Sequence, residues 1–585
     1  MKTAAILLAA SFTMAAASAD NSVTFNWAHS VDGYTTGGDN TIGAKLSTKG
    51  DLYVASTFGS STDLPYLYFD CSLMLNAAGD TVKGSPYTGN SNNGNLLLQR
   101  VGLEDGVVQW SAYTCAGDID QSSTQFVATD DDGLLAVVKT RGWVEAAGID
   151  TLIGYVDPTG TLNTIVDHTT TKSEYRYVVT KINSEGAIEW YRIIYGLLRT
   201  DLDYATYNTI YIYAADIDSD GNIYLAGNFR TDLYVPCADG SVKSFTANNV
   251  SGWSGDSQEV VGDLFVLKLT AEGYYSDMLL ASGTAACAFI DNLVHYNGKL
   301  YFNGRVKGDG STMTLGGKTV NASSSYQTVI MGAISASDLS VDYLTTLTSV
   351  ANSSNSFVVQ NKYAQYYDGK IYFTGLLNGG WRREGETTDL VNTNATVLKG
   401  YVLAMDTDDG TASAACLSDA TGISGYYGIY YGNEYIYAHG YDMNGVGAIL
   451  TVLDKSTLQL TGTQYTICSY GTVAVCGEPV QTGEYFVMLN RGGKANTTTN
   501  TATFYGSDTS FSNLNCWGSV YYCYSMADAP EDSGVTRTLA DQDGDDCDVY
   551  TITGIRVRSA SSMTEATSGL APGIYIIGHK KVAVK

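Results

Sequence analysis

Charge is scarce in this chain, and basic charge scarcest of all. Of 585 residues, 16% are charged, 33 of them Lys or Arg against 60 Asp or Glu, for a formal net charge of -27. A protein that grips phosphates needs a basic stripe, so nucleic acid is excluded as a partner, and anionic membrane surfaces with it. Proline is rare, at 7 residues, and so is histidine, at 5. His29, His168, His295, His439 and His579 are scattered, and His295 and His439 fall inside apolar alternation, where a satisfied core residue is expected. There is no CxxC pair or His-rich cluster for a structural zinc. There is no HExxH and no G-x-S-x-G elbow. Beyond the N-terminus no stretch approaches the ~20 uncharged apolar residues of a membrane helix. Long Ala/Leu/Glu/Lys stretches are missing too, which argues against helices.

Glycine and tyrosine are abundant, with 63 and 44 residues. Many turns and many aromatics favour strands. The first residues read as a secretory signal: Lys2, an apolar run from Ala4 to Ala17, then Ala17-Ser18-Ala19 as a small-residue cleavage site. The expectation is a signal peptide over 1–19 and a mature, secreted or surface-displayed chain from Asp20, with no membrane span. Ten cysteines in an exported chain permit disulfides. Cys115, Cys287 and Cys416 each close an apolar segment and read as small buried hydrophobes. Cys468 with Cys476, and Cys516 with Cys523, are near enough in sequence to pair, and spacing leaves that open.

One short pattern recurs seven times. It is a turn residue, an alternating run with an aromatic, and often a Gly. The copies are Gly50-Asp-Leu-Tyr53, Gly133-Leu-Leu-Ala-Val137, Gly221-Asn-Ile-Tyr224-Leu-Ala-Gly227, Gly298-Lys-Leu-Tyr301-Phe-Asn-Gly304, Gly369-Lys-Ile-Tyr372-Phe-Thr-Gly375, Glu434-Tyr-Ile-Tyr437-Ala-His-Gly440 and Gly483-Glu-Tyr-Phe486. Their spacing shortens from 83 residues, Gly50 to Gly133, to 49, Glu434 to Gly483. A second pattern follows each copy: a strand, a polar turn, another strand, as in Asp263 to Gly273. Each repeat is therefore two hairpins. A four-stranded sheet cannot bury both faces alone, whereas radial stacking buries them. The predicted fold is all-β, a seven-bladed β-propeller of four-stranded blades over 20–525. Trp27 precedes Gly50 by 23 residues and Trp110 precedes Gly133 by the same 23, with Trp190 in the equivalent strand before Gly221. The segment at Trp27 thus looks like the last strand of a blade with no blade before it, and is expected to complete the C-terminal blade and close the ring.

The segment Ser56 to Pro65, the run Asp218-Ser-Asp-Gly-Asn-Ile-Tyr-Leu-Ala-Gly227 and the strand Phe265 to Gly273 resemble bacterial β-propeller repeat proteins of the SBBP type. That resemblance implies a propeller and no particular reaction. Residues 526–547 read as an acidic linker. Beyond it, Val549 to Val557 and Gly569 to Lys585 are strand-like. The Gly573-Ile-Tyr-Ile576 segment, the Lys580-Lys581 pair and the terminal Val584-Lys585 resemble the C-terminal sorting domains of Bacteroidota proteins that use the type-nine secretion route. The resemblance implies that 548–585 engages the secretion machinery.

Three features bear on function. Asp216, Asp218 and Asp220, followed by Gly221, match the first half of a calcium loop, although Gly227 stands where such a loop has its bidentate Glu. A tight turn explains the same residues. Calcium is the only cofactor the sequence suggests. Trp143, Trp253 and Trp381 all lie in the long connection after the motif strand, where exposed rings offer stacking surfaces, and Arg382 and Arg383 beside one of them suit an acidic group. Packing within each long loop is the alternative. The Tyr-rich run Tyr426 to Tyr437 is explained by alternation, with one set of rings between blades. The leading expectation is a non-catalytic binding module for a glycan or an extracellular protein. The alternatives are a glycan-active hydrolase or lyase, which predicts a deep axial pocket with convergent Asp/Glu, and a structural envelope protein. Missing motifs leave catalysis open, since propeller sites draw single residues from several blades.

Overall fold

A computed structural model describes residues 23–529 apart from 34–39, 59–65, 85–92, 142–150, 168–174, 198–209, 231, 249–261, 286–287, 307–309, 323–326, 351–357, 360–362, 378, 393–398, 419–422, 443–446, 471–472, 493–499 and 515–517, and the tail strands between 549 and 584. The expected signal peptide, 1–19, and nearly all of the expected linker, 526–547, lie outside the described residues. Every regular element described is a β-strand and every strand pairing is antiparallel.

The recurring element is a four-stranded unit. In unit 1 it comprises Asn40–Leu46, Leu52–Phe58, Asn93–Val101 and Val108–Ala116, paired in chain order. Units 2, 3 and 4 repeat it over 118–197, 210–280 and 288–350, and units 5 and 6 over 364–417 and 423–470. Unit 7 spans 480–526 and is one strand short. The N-terminal strand Val23–Asp32 supplies the missing one, pairing with Ser519–Met526 from Val23↔Met526 to Val31↔Ser519. The expected joining of the chain's two ends is therefore present.

Each unit buries its faces against its neighbours. One apolar cluster joins units 1 and 2 through Leu98, Ala112, Phe126 and Val178. Others join units 2 and 3, 3 and 4, 4 and 5, 5 and 6, and 6 and 7. A further cluster joins unit 7 to unit 1 through Trp27, Val54, Leu97, Val487 and Tyr521. The cycle of contacts thus returns to its start. The first strand of unit 1 also meets the entry to unit 7 directly: Gly43 bridges Glu478 in parallel, and Lys45 Nζ lies 2.7 Å from Glu478 Oε2. A fully buried Leu, Val or Phe contributes about 1.5–3 kcal/mol, so these seams hold most of the fold's stability.

The repeated residues have identifiable duties. The motif Tyr reaches into an adjacent unit, where Tyr224 donates its hydroxyl to Ala336 O at 2.7 Å and Tyr53 to Asp132 O. The fourth-strand tryptophans cover the next unit's turn. Trp27 Nε1 donates to Leu103 O at 2.7 Å and Trp110 Nε1 to Ser184 O at 2.9 Å. The Trp27 and Trp190 rings lie against Gly106 and Gly273, whose φ angles of 70° and 80° suit glycine. The trailing motif Gly answers a bulge in the first strand, as between Ile212 and Ala214 and between Ile290 and Asn292. A Cβ on Gly304 would stand 1.9 Å from Phe289 O.

The connection between second and third strands carries an unforeseen device. In unit 2 it forms the hairpin Thr151–Val156 with Leu162–Val166, which pairs with the fourth strand of unit 1. Equivalent hairpins from units 1, 3, 5 and 7 extend the preceding unit's sheet in the same way, and that of unit 4 pairs with the short strand Ser282–Gly283 just beyond unit 3. Unit 6 cannot do so, because only four residues separate Asp442 from Gly447. These hairpins cover sheet edges that would otherwise present unpaired backbone groups.

Cys468 and Cys523 are buried free thiols, so neither sequence-adjacent pair forms a disulfide; of the three expected buried hydrophobes, Cys416 is buried, Cys115 is only partly buried and Cys287 lies outside the described residues.

Replacing Gly304 by Ala forces Phe289 O and the bulge apart. A loss of about 3 kcal/mol in urea unfolding is expected, and an unchanged midpoint contradicts the assigned role.

Candidate functional site

Topology puts the turns between first and second strands on one side of the cycle, with Gly50, Gly221, Gly298 and Gly369 at their bends. The connections between second and third strands leave on the other side, beyond Phe58, Arg141, Phe229, Val306 and Leu377. Side chains two apart on a strand share a face, so the residue four beyond the motif Tyr shares its face at the loop-bearing end. In unit 4 that residue is Arg305, four after Tyr301, and in unit 2 the equivalent is Lys139, four after Leu135.

Both are buried cations matched by an acid and by rings. Lys139 Nζ lies 2.8 Å from Asp120 Oδ2, and 3.8 and 4.7 Å from the ring centres of Tyr211 and Tyr175. Arg305 Nε lies 3.3 Å from Asp291 Oδ2, and its guanidinium sits 4.7 Å from the Phe289 ring centre. Burial raises the Asp291 carboxyl above the usual carboxylate range, and Arg305 opposes that rise. Tyr213 and Tyr401 close the group, each with its hydroxyl held protonated chiefly by burial. A third cation, Arg176, bonds Asp167 Oδ2 at 3.1 Å and stands over Tyr195, which stacks on Tyr234. These pairs were missed in the sequence. A charged residue inside an apolar motif strand, as at Lys139 and Arg305, was the available signal.

The sequence-predicted residues fare differently. Trp143 and Trp253 lie outside the described residues. Trp381 is fully buried in the strand Gly380–Arg383, edge-on to Tyr401 at 4.7 Å. It offers no stacking surface, which corrects that expectation; its hairpin must bury an apolar side against units 4 and 5 to pair with Val341–Val350. Arg382 bonds Asp389 Oδ1 at 2.6 Å, and Arg383 bonds Ala412 O at 2.6 Å. The two arginines therefore already hold internal acceptors.

The Asp216, Asp218 and Asp220 trio does not converge. Asp216 Oδ2 accepts from the His295 backbone N–H of unit 4 at 2.7 Å. Asp218 accepts from the backbone N–H groups of Asp220 and Asn222, and its Oδ2 lies 2.7 Å from the Tyr224 hydroxyl, whose single proton it shares with Ala336 O. Asp220 is exposed. Among the described residues no three His, Cys, Asp or Glu side chains gather as metal ligands. The motif is built as a tight Asx turn that seats the motif Tyr.

His439 is fully buried between units 6 and 7, edge-on to Phe486, and neither ring nitrogen reaches a partner in hydrogen-bond geometry although Asn490 stands beside it. Desolvation holds it neutral and pushes its pKa down to about 3. The Tyr-rich run is buried on both faces rather than one: Tyr430 and Tyr437 lie between units 6 and 7 and Tyr426 and Tyr431 between units 5 and 6, whereas Tyr435 is 36% exposed. Among the described residues no helix is long and apolar enough to cross a membrane.

Trp381→Ala is expected to cost about 3–5 kcal/mol of stability by chemical denaturation. His439 binds a proton in the unfolded chain but not in the fold, so its contribution is complete above about pH 6.5 and is lost as pH falls towards 3. Between about pH 6.5 and 5 that loss is roughly 2 kcal/mol. A His439→Phe variant should flatten this part of the stability-against-pH curve, and an identical slope in the variant contradicts the assignment.

No protein-family model matches the chain, and no curated protein matches it. Among solved structures it is similar to a quinohemoprotein alcohol dehydrogenase from Pseudomonas putida HK5 at 8% identity, covering 88% of this chain and 78% of that one, with a TM-score of 0.35. It is similar to a Synechocystis apocarotenoid oxygenase mutant at 11% identity, covering 74% and 88%, with a TM-score of 0.29. It is also similar to the phage phi92 endosialidase at 9% identity, covering 88% and 71%, with a TM-score of 0.28. At such scores these likenesses carry no argument about fold or chemistry.

Proposed function

We propose that the chain is an exported, seven-bladed β-propeller that acts as a non-catalytic binding module for a glycan or an extracellular protein, through the side that carries the connections between second and third strands. Units 1 to 7 are its blades, and the tail segment 548–585 serves export as a sorting element. The observation that carries the reading is the cycle of seams: apolar clusters join each unit to the next and unit 7 back to unit 1. That packing suits a rigid scaffold, and scaffolds of this kind place their variable, ligand-contacting segments on loops.

The binding reading is preferred over glycan hydrolysis on one ground. Glycoside cleavage generally needs two carboxyl groups flanking the bond. Among the described residues the one carboxyl with a raised pKa, Asp291, is matched by Arg305.

The test is a glycan panel probed with purified residues 20–585, with product analysis on every glycan bound. Saturable binding without product supports the proposal. Release of a shortened glycan overturns it in favour of a hydrolase or lyase, and absence of any binding leaves the protein-partner arm, read by cross-linking on the native cell surface.

A further inference from the structure

We propose that Asp528 is a latch on the outgoing chain: its carboxylate completes the turn of unit 6, so the chain departs from a fixed point on that turn rather than from the end of the strands that close the cycle. The turn between the first and second strands of unit 6, Gly432 to Tyr435, differs from its counterparts. Each of the other six units places a residue with positive φ there, a Gly or, in unit 2, Asp132, and unit 6 places none. Units 1, 2 and 3 cap the turn with a side chain of their own. Ser47 Oγ accepts from the Lys49 and Asp51 backbone N–H groups, Thr129 Oγ1 from that of Gly133, and Asp218 Oδ1 from those of Asp220 and Asn222.

Unit 6 takes its cap from unit 7. Asp528 lies two residues past the third strand of unit 7, Ser519–Met526. Its Oδ1 accepts the Glu434 backbone N–H at 2.9 Å and its Oδ2 that of Tyr435 at 2.8 Å. Its backbone O accepts the Asn433 N–H at 3.0 Å. Three successive amides thus point at one residue, an arrangement that suits an anion. The fit is close, since a Cβ on Gly432 would stand 2.3 Å from Asp528 Oδ2 and 2.7 Å from Asp528 O. The same joint is held in the other direction, where Tyr430 of unit 6 donates its hydroxyl to Gly483 O in the turn of unit 7 at 2.8 Å.

The place of the latch gives it a duty. Ser519–Met526 pairs with Tyr485–Gly492 on one side and with the N-terminal strand Val23–Asp32 on the other. A disturbance of the chain beyond it would enter at the Val23–Met526 pair and peel the closing ladder from its end. With Asp528 fastened, the contacts that give first are those to the turn of unit 6, which lie outside that ladder. Val23 stands opposite Met526, so the described chain enters and leaves the cycle on the side of the short turns, and the side with the long connections carries neither end. The inference goes beyond the binding proposal and stands without it.

The readout is hydrogen exchange in residues 20–585, corrected for intrinsic rates and referred to the strand Leu134–Arg141 of the same molecule. Asp528→Ala should speed exchange at Glu434 and Tyr435 by about tenfold, the equivalent of one charge-assisted hydrogen bond at each amide. The change should spread to the end of the closing ladder, Val23–Phe25 and Tyr524–Met526, and leave the reference strand unaltered. Gly432→Ala displaces an intact Asp528 from the other side and should give the same pattern, which serves if the first variant folds poorly. Unchanged rates at Glu434 and Tyr435, or a change that stops at the turn and never reaches the ladder, overturn the proposal.

Discussion

The constraint on which everything else depends is that a four-stranded antiparallel sheet has two apolar faces and no way of covering either. Each unit here alternates Leu, Val, Ile and Tyr inward on both sides, as in Leu52–Phe58, where every residue is buried. The only partner of the right shape is another unit. Every large apolar cluster accordingly lies between two units rather than within one. A linear stack would leave its first and last faces wet. Cyclic contact removes both ends, and the exchange of the N-terminal strand into unit 7 puts a hydrogen-bonded ladder at the joint, beside the single backbone bridge of Gly43 with Glu478.

Much of this was legible because the seams are repetitive. The motif Tyr, its trailing Gly and the tryptophans at 27, 110 and 190 recur because each solves the same problem at a different seam: a hydroxyl for the neighbour's carbonyl, room for a bulged strand, a ring over a left-handed turn. Sequence spacing reports such duties directly. The loops were less legible for the same reason. The hairpins that extend each preceding sheet share a role but no common residues, since backbone pairing asks only for extended chain. Their lengths differ and no motif marks them, so Trp381 read as a loop residue although it sits in a paired strand.

The candidate site shows the opposite failure. Asp216, Asp218 and Asp220 carry the residue types of a calcium loop, but only Asp216 is on the strand and the other two lie in the turn beyond it, where two-residue spacing no longer sets a common face. Asp216 turns to the neighbouring unit and Asp218 turns back on its own turn. Ligand spacing in sequence becomes ligand convergence only when the backbone curls around the ion. Here the strand Ile210–Ile217 stays extended to its end, with Ile217 paired to Ile223. Charge that the sequence did not single out, at Lys139, Arg176 and Arg305, proved to be the buried and paired kind.

Those buried pairs bear on why the loop-bearing end can be variable at all. Removing a cation from water costs several kcal/mol unless an anion and further contacts offset it, and each of the three has both an acid and an aromatic face. Such pairs add little net stability compared with apolar side chains of the same size. Two of them restrict geometry, because the acid and the cation come from different strands and must meet in one register: Asp120 from a first strand with Lys139 from a second, Asp291 with Arg305 likewise. Apolar alternation sets which face of a strand is buried, but it tolerates a slip of two residues. A charged pair at the strand end does not. Such pairs therefore fix strand register at the end where the connections are longest, which lets those connections differ from unit to unit without the sheets beneath them slipping.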